Sequence, residues 1–453
     1  MPKTISQTTY HPTYKFGTDG IRATANEFTP ELLNSIAVGL SNVATQKSAN
    51  PKIFLAGDTR ESTEWILQDL STALESLGIE YSTAGILPTP AINYCFYEMG
   101  FDYAIDVTAS HNPYTDNGIK IFERSTNSGT KLGPASQKII ESAINSPQTL
   151  TPVSTTDRAS LHQEALSIYK EHLINYLKIA DFSKLRIGID CANGATSVIG
   201  KHIFEELGAF TELINSNPHY NQNINDHCGS THLAPLQKLV KSQKLDFGVA
   251  FDGDGDRVLM IDAKGNIIDG DQIIAIIANY LNLDKIAVTV MANQGLLNWA
   301  KENHIHAEIT PVGDSNVASA MQEHHIQLGG EQSGHIILPN ETTGDGMLTA
   351  LFIAKIISET GKPLHDLANI ITKLPQVIVN FNATPAQKSK LEASDAVKNI
   401  LAHFTEKVKP LDGRILVRPS GTEPLIRITV WGNDEDKITH LAEELKTKLG
   451  EIL

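Results

Sequence analysis

Three things are scarce in this sequence, and each scarcity excludes something. It has 3 cysteines, Cys95, Cys191 and Cys228, all isolated and without a Cys-x-x-Cys pair. That spacing supports neither a disulfide framework nor a zinc site, and it fits the reducing cytoplasm. Long apolar runs are also missing. The longest candidate, "QIIAIIANYL" at 272–281, falls far short of the ~20 residues a membrane span requires, so no membrane contact is expected. Positive charge is scarce too: 37 Lys and Arg against 52 Asp and Glu leave a net −15. Phosphate backbones are met with basic patches, so a nucleic-acid partner is not expected. An acidic chain can still hold a small anion, through a local cluster of Lys, Arg and backbone N–H groups. The opening "MPKTISQTTYHPTYK" lacks the apolar core of a secretory signal and reads as a frayed extension.

What is present looks globular. The 453 residues, 41% hydrophobic and 20% charged, suit three or four soluble domains. A pattern recurs three times: "KIFLAGDTR" (52–60), "KLRIGIDCANGA" (184–195) and "KIAVTVMANQG" (285–295) each read as a buried strand running into a loop. Each is followed by a helical stretch and a second strand, "LGIEYSTAG", "LGAFTELIN" or "NHIHAEITPVG", which is the parallel βαβ unit. A third strand-like run then ends each copy: "FDYAIDVTASHN" (101–112), "LDFGVAFDGDGDR" (245–257) and "HIQLGGEQSGH" (325–335). Three polar loops therefore occupy equivalent places, where open α/β sheets bind ligands. The last ~80 residues break the pattern and predict a smaller α+β domain whose strands flank "RPSGTEP" (418–424).

"FDGDGDR" (251–257) sets Asp252, Asp254 and Asp256 on alternate positions with glycines between them. Converging hard oxygens of this kind suit Mg²⁺, and Arg257 and Ala263 stand where an EF-hand needs Gly and Glu. Ser110 heads a loop with His111 and Asn112 and is either a turn residue or a functional group; its surroundings are not those of a hydrolase nucleophile. Beside the aspartates, a phosphoserine there would supply a further metal ligand. "GGEQSGH" offers Glu331, Gln332 and Ser333 for sugar hydroxyls and His335 as a proton shuttle. Arg418, Ser420, Gly421 and Thr422, followed by Arg427, have the makings of a phosphate nest, or of a plain hairpin loop. Arg22 and Arg60 are open between anion contacts and surface charges.

In this order, "FGTDGIR", "TASHNP", "DGDGDR", "GGEQSGH" and "RPSGTEP" resemble the α-D-phosphohexomutase superfamily along nearly the whole chain. Within it, "SHNPYTDNGIKIF" (110–122), "VMANQGL" (290–296) and "RPSGTEPLIRITV" are most similar to the branch acting on glucosamine phosphates. The resemblance implies an α/β fold: three similar mixed α/β sandwich domains (1–155, 156–258, 259–368) and a smaller C-terminal α+β domain (369–453) round a central cleft. It implies that Ser110 is phosphorylated in the working enzyme and that Mg²⁺ is shared by that group with Asp252, Asp254 and Asp256. Arg22, His111, Lys120, Arg257 and His335 would then assist charge and proton transfer, while Glu331, Ser333 and the loop from Arg418 to Arg427 bind the substrate. The implied reaction interconverts glucosamine 6-phosphate and glucosamine 1-phosphate through a 1,6-bisphosphate, on the way to UDP-N-acetylglucosamine. Glucose or glucosamine 1,6-bisphosphate would be the activator, and a monomer or homodimer is expected. The alternatives are a mannose- or glucose-phosphate mutase, or a Mg²⁺-dependent sugar-phosphate phosphatase. The chain departs from the family pattern at Ser315, where Arg is frequent, and at Trp431, where an acidic residue is frequent.

Overall fold

The protein is seen here as a computed structural model, which describes residues 14–17, 19–126, 128–147, 150–151, 153, 159–420 and 424–453. The first sheet comprises β1 (Ile21–Thr24), β2 (Lys52–Gly57), β3 (Glu80–Ile86), β4 (Tyr103–Val107), β5 (Asp116–Arg124) and β6 (Gly129–Lys131). Its order is β1-β5-β4-β2-β3, with β6 paired to β5. The second holds β7 (Arg186–Asp190), β8 (Phe210–Ile214), β9 (Phe247–Phe251), β10 (Val258–Asp262) and β11 (Ile267–Ile268), ordered β11-β10-β9-β7-β8. The third holds β12 (Lys285–Thr289), β13 (His306–Thr310), β14 (Gly329–Gly330) and β15 (Ile336–Ile337), ordered β13-β12-β14-β15.

One topology underlies all three sheets. The first strand of each βαβ unit lies between two parallel neighbours, and the chain then turns back antiparallel beside the third strand. The returns are β4 to β5, β9 to β10 and β14 to β15. The loops carrying Ser110, the three aspartates and Glu331 therefore sit at equivalent points, as the repeat predicts. The third copy is the thinnest. Its two-residue ladders begin at Gly329 and Gly330, and glycine offers a strand no side chain to pack.

Strands such as Phe247–Phe251 are buried along their whole length, which is why they read as unbroken apolar runs. One core runs from a face of the first sheet (Phe54, Phe122) through Leu173 and Phe251 to Met347 and Ile353, so it joins the first three sheets. A second cluster fills the other face of the first sheet. The last sheet stands apart: β16 (Gln376–Asn382), β17 (Arg414–Pro419) and β18 (Leu425–Trp431) are antiparallel in the order β16-β18-β17. Its core of Val397, Phe404, Ile428 and Leu445 is separate from the others. No helix among the described residues is long and apolar enough to cross a membrane.

Candidate active site

Leaving β4, the chain places Ser110 at φ 52°, a left-handed conformation that is uncommon for a residue with a Cβ. Such a conformation persists only where the surroundings over-determine it. Here Arg60 does so. Its fully buried guanidinium donates to Asp58 Oδ2 at 2.9 Å and to the carbonyls of Ser110, Asn112 and Asp116 at 2.8, 2.9 and 3.0 Å. It also donates to the Pro113 carbonyl, which leaves no donor direction without an acceptor. Asp58 accepts from the Thr108 hydroxyl at 2.7 Å, and that hydroxyl accepts the Ser110 N–H at 2.9 Å. Asn225, from the segment after β8, donates to the Ser110 carbonyl at 2.8 Å. Arg60 is thus neither of the things its sequence context leaves open. It is a buried strut whose anion is the carboxylate two residues away.

The Ser110 hydroxyl donates to Asp252 Oδ2 at 2.7 Å. His111 is a poorer partner, with Nδ1 at 3.5 Å from Ser110 Oγ and accepting from Arg257 Nη1 at 3.1 Å. Burial, then Arg257 and Arg22, push the His111 pKa down to about 4, so the ring is neutral at pH 7. The serine therefore faces the aspartate loop and not a histidine base.

Asp252, Asp254 and Asp256 are buried, with ligand oxygens within 4.8 Å of one another. Gly253 permits the approach, since a Cβ there would lie 2.6 Å from the Ser110 carbonyl oxygen. Lys120 Nζ donates to Asp254 Oδ2 at 2.8 Å and to Asp256 Oδ2 at 3.1 Å. Asp254 Oδ1 and Asp256 Oδ1 are buried without a hydrogen-bond partner among the described residues. Orphaned hard oxygens of this kind are what a divalent cation would satisfy, so these three carboxylates with the Ser110 oxygen could hold a metal. Burial, then Asp256 and Asp254, push Asp252 well above the usual carboxylate range. Burial also acts on Asp256, but Lys120, His335 and Arg257 outweigh it and hold its pKa at about 2.

Carboxylates outweigh the cations near Lys120, Lys131 among them. Burial alone would push the Lys120 ammonium down, yet Asp19, Asp254, Asp256 and Asp106 hold it well above its ordinary value. Arg22 pairs with Asp19 and donates to the Ala109 carbonyl at 3.1 Å, so it braces the serine loop. Arg257 and His335 form an antiparallel bridge that ties the aspartate loop to the third sheet's loop. His335 is buried; its Nε2 accepts the Gly344 N–H at 3.2 Å, and its Nδ1 has no partner among the described residues.

Glu331 accepts from the Gly313 N–H at 3.1 Å and from the exposed Ser333 hydroxyl at 3.4 Å. In the last sheet, Arg418 and Arg427 stand directly opposite each other. Like charges so placed repel, and an anion between them would reverse the sign. Burial, then Arg427, lower the Arg418 pKa while Glu331 opposes them, and Glu331 also acts on Arg257. The Glu331 carboxylate is therefore within electrostatic reach of both the aspartate loop and the arginine pair. Arg418 Nε is buried without a hydrogen-bond partner among the described residues. Ser420 is buried beside them, its carbonyl accepting from Lys388 Nζ at 2.6 Å. Gly421 and Thr422 lie outside the described residues.

Family comparison covers most of the chain in order. Phosphoglucomutase/phosphomannomutase alpha/beta/alpha domain I matches residues 13–150, domain II 167–265, domain III 269–374 and the C-terminal domain 379–448. The chain belongs to the phosphoglucomutase/phosphomannomutase family. Among its relatives, phosphoglucosamine mutase of Caldicellulosiruptor bescii is 42% identical over 445 residues, 95% of this chain and 97% of that protein. Phosphoglucosamine mutase of Bacillus subtilis is 38% identical over 449 residues, 97% and 98% of the two chains. A phosphoglucomutase/phosphomannomutase family protein from Burkholderia thailandensis superposes with TM-score 0.78 at 20% identity, covering 96% of this chain and 97% of that one. Aspergillus fumigatus N-acetylphosphoglucosamine mutase, solved with GlcNAc-6P and magnesium, gives TM-score 0.66 at 17% identity, covering 97% and 96%. At these identities the structural likeness is one of fold.

Within this mutase-family chain, several site residues escape sequence reasoning. Thr89 Oγ1 lies 2.6 Å from Asp106 Oδ2 and 2.9 Å from Asp254 Oδ2. One hydroxyl has one proton, so Thr89 donates to one of the two carboxylates at a time, and burial raises the Asp106 pKa well above the usual range. Nothing local in "ILPTPA" or "AIDV" signals that contact. Trp431 also finds its reason. Arg414 lies over its ring at 4.2 Å and donates to the Ala292 carbonyl at 2.7 Å, joining the C-terminal domain to domain III. Beside that seam, Asn293 fixes the end of domain III that leads into β16, donating to the Leu374 carbonyl at 2.9 Å and accepting its N–H at 3.0 Å.

Proposed function

We propose that this chain interconverts glucosamine 6-phosphate and glucosamine 1-phosphate, carrying a phosphoryl group on Ser110 and passing through glucosamine 1,6-bisphosphate. The observation that carries the reading is the Ser110 hydroxyl aimed 2.7 Å from Asp252 inside a buried aspartate triad. Relatives named phosphoglucosamine mutase, 38% to 42% identical over nearly the full length, support the choice of sugar.

Asp252, Asp254, Asp256 and the Ser110 oxygen would hold Mg²⁺, which when bound neutralises charge on the transferring phosphoryl oxygens. Arg60 and Asp58 fix the carrier so that transfer runs in line, and Arg22 braces the loop beneath it. His335 takes the proton from the sugar hydroxyl, or Lys120 does so from a neutral form that its four carboxylates oppose; the pH profiles of Lys120→Met and His335→Ala separate the two. Glu331 and Ser333 bind sugar hydroxyls. Arg418, Ser420, Gly421, Thr422 and Arg427 hold the phosphate that is not reacting, at either end of the sugar in turn. That exchange requires the bisphosphate to turn over inside a cleft closed to water. The working division is 1–155, 156–258, 259–368 and 369–453, with one loop contributed by each unit. Glucose or glucosamine 1,6-bisphosphate primes the serine, and the enzyme works in the cytoplasm as a monomer or homodimer.

Intact mass combined with turnover tests this. The expected result is a single phosphate on Ser110 and isomerisation of glucosamine 6-phosphate faster than glucose or mannose 6-phosphate, without release of inorganic phosphate. Steady phosphate release would mean a phosphatase. A preference for mannose or glucose phosphate would move the chain to another branch of its family.

A further inference from the structure

We propose that Lys131 is a positioning residue that clasps domain III onto the serine-bearing domain and so sets the KM for the sugar phosphate; this rests on the mutase reading. Lys131 ends β6, and its Nζ lies 2.5 Å from Asp19 Oδ1 while also pairing with Asp314. Asp19 belongs to the serine-bearing domain. Asp314 opens the domain III helix Asp314–His324. A chain of alternating charges results: Asp254 and Asp256 hold Lys120, which lies 3.2 Å from Asp19; Asp19 meets Lys131, and Lys131 meets Asp314, where the chain ends, with Oδ2 3.7 Å from the His335 ring nitrogen Nε2.

The other end of β6 is docked on domain III as well. The Thr342 hydroxyl donates to the Gly129 carbonyl at 2.9 Å, and Asn93 donates to the same hydroxyl at 3.2 Å. Gly129 must be small there, since a Cβ would stand 2.3 Å from the Phe96 ring. Three residues of edge strand are thus fastened to domain III at both ends. The residue next to Asp314 carries the effect to the sugar site, because the Gly313 N–H donates to Glu331 Oε1 at 3.1 Å.

Lys131 pairs with two carboxylates, neither of them a candidate metal ligand, so its action is to place Glu331 and His335. Without its ammonium, Asp19, still paired with Arg22 and Lys120, and Asp314 would lose the cation that they share. The resulting repulsion would displace the Gly313–Glu331 contact outward.

The test uses the full chain in four forms: wild type, K131Q, D314N and the double variant, with K131R as rescue. For K131Q, KM for glucosamine 6-phosphate is expected to rise about tenfold with kcat within about threefold, and the double variant to be no worse than K131Q. K131R should recover most of the loss. A structural role alone would lower the active fraction, hence kcat, and leave KM in place. Independently of any sugar, backbone hydrogen exchange over 311–317 and 329–335 should quicken about tenfold in K131Q, with 103–110 unchanged. Unchanged exchange, an unchanged KM, or multiplying effects of K131Q and D314N would overturn the clasp. If the wild type turns over no hexose phosphate, the mutase reading fails and the exchange comparison still decides the clasp.

Discussion

Two arginines, each beside a short loop between strands, do opposite things. Arg60 is fully buried, and its donors are spent on Asp58 and the carbonyls of the Ser110 loop. Arg418 faces Arg427 across a strand pair, and its Nε has no hydrogen-bond partner among the described residues. The first is internal structure, holding a serine at φ 52°. The second is half-buried, and the proposed function gives it a substrate phosphate as its anion. Their foundations differ as well. The serine's sheet shares a core with the next two sheets, whereas the last sheet has its own core and meets domain III at the Arg414 and Trp431 seam. On the proposed function, a phosphoryl carrier needs a fixed mount, and the clamp that accepts either end of the sugar sits on a unit with its own core.

The largest expected effect comes from removing what the mount carries. Ser110→Ala should lower turnover at least ~10⁴-fold, as losses of a nucleophile do, while sugar-phosphate affinity by calorimetry stays within about twofold. Full activity would end the carrier argument. Next, Arg60→Met should destabilise the first domain by ~3–5 kcal/mol, because Asp58 is left buried without its partner. Denaturant unfolding measures this, and a change below ~1 kcal/mol would make Arg60 an ordinary side chain. Arg418→Ala should do the reverse. Its KM rises about 10- to 100-fold, the worth of a charged hydrogen bond to phosphate, while the thermal midpoint scarcely moves. Loss of stability there would erase the contrast between the two arginines.

The smallest effect concerns the seam. Asp271 accepts the Asn293 N–H at 2.7 Å, and burial, then Asp269, raise its pKa to about 7. The native state therefore keeps a proton that the unfolded chain releases near pH 4, so stability is greatest at the acid end and falls as pH rises to about 7. Between pH 5 and 7 the fall should be about 2 kcal/mol and should vanish in Asp271→Asn. A flat profile in the unaltered chain would remove Asp271 from the seam.

The repeat is legible because β-strands buried on both faces leave apolar runs, and because the same run, turn and return occur three times. The aspartate loop is legible for a local reason: alternate spacing with glycines between carboxylates after "FGVAF" has few other uses. Ser110 is ambiguous by itself, and its meaning comes from Asp252, 142 residues away in sequence. The surroundings of Arg60 and Lys120 are not legible without coordinates, since one has a carbonyl cage and the other a cage of carboxylates. Lys131 and Thr89 escape notice altogether, being common residue types in plain surroundings.

By itself, then, the sequence determined the order of strands and loops and the chemistry each loop can offer, because strand periodicity, glycine placement and acid spacing are local properties of the chain. Only the tertiary structure decided which charges meet. Whether an arginine is a strut or a clamp, and whether a lysine faces a cation or four carboxylates, depends on burial and on partners tens to hundreds of residues distant. Those pairings arise when the domains pack, and no local pattern encodes them.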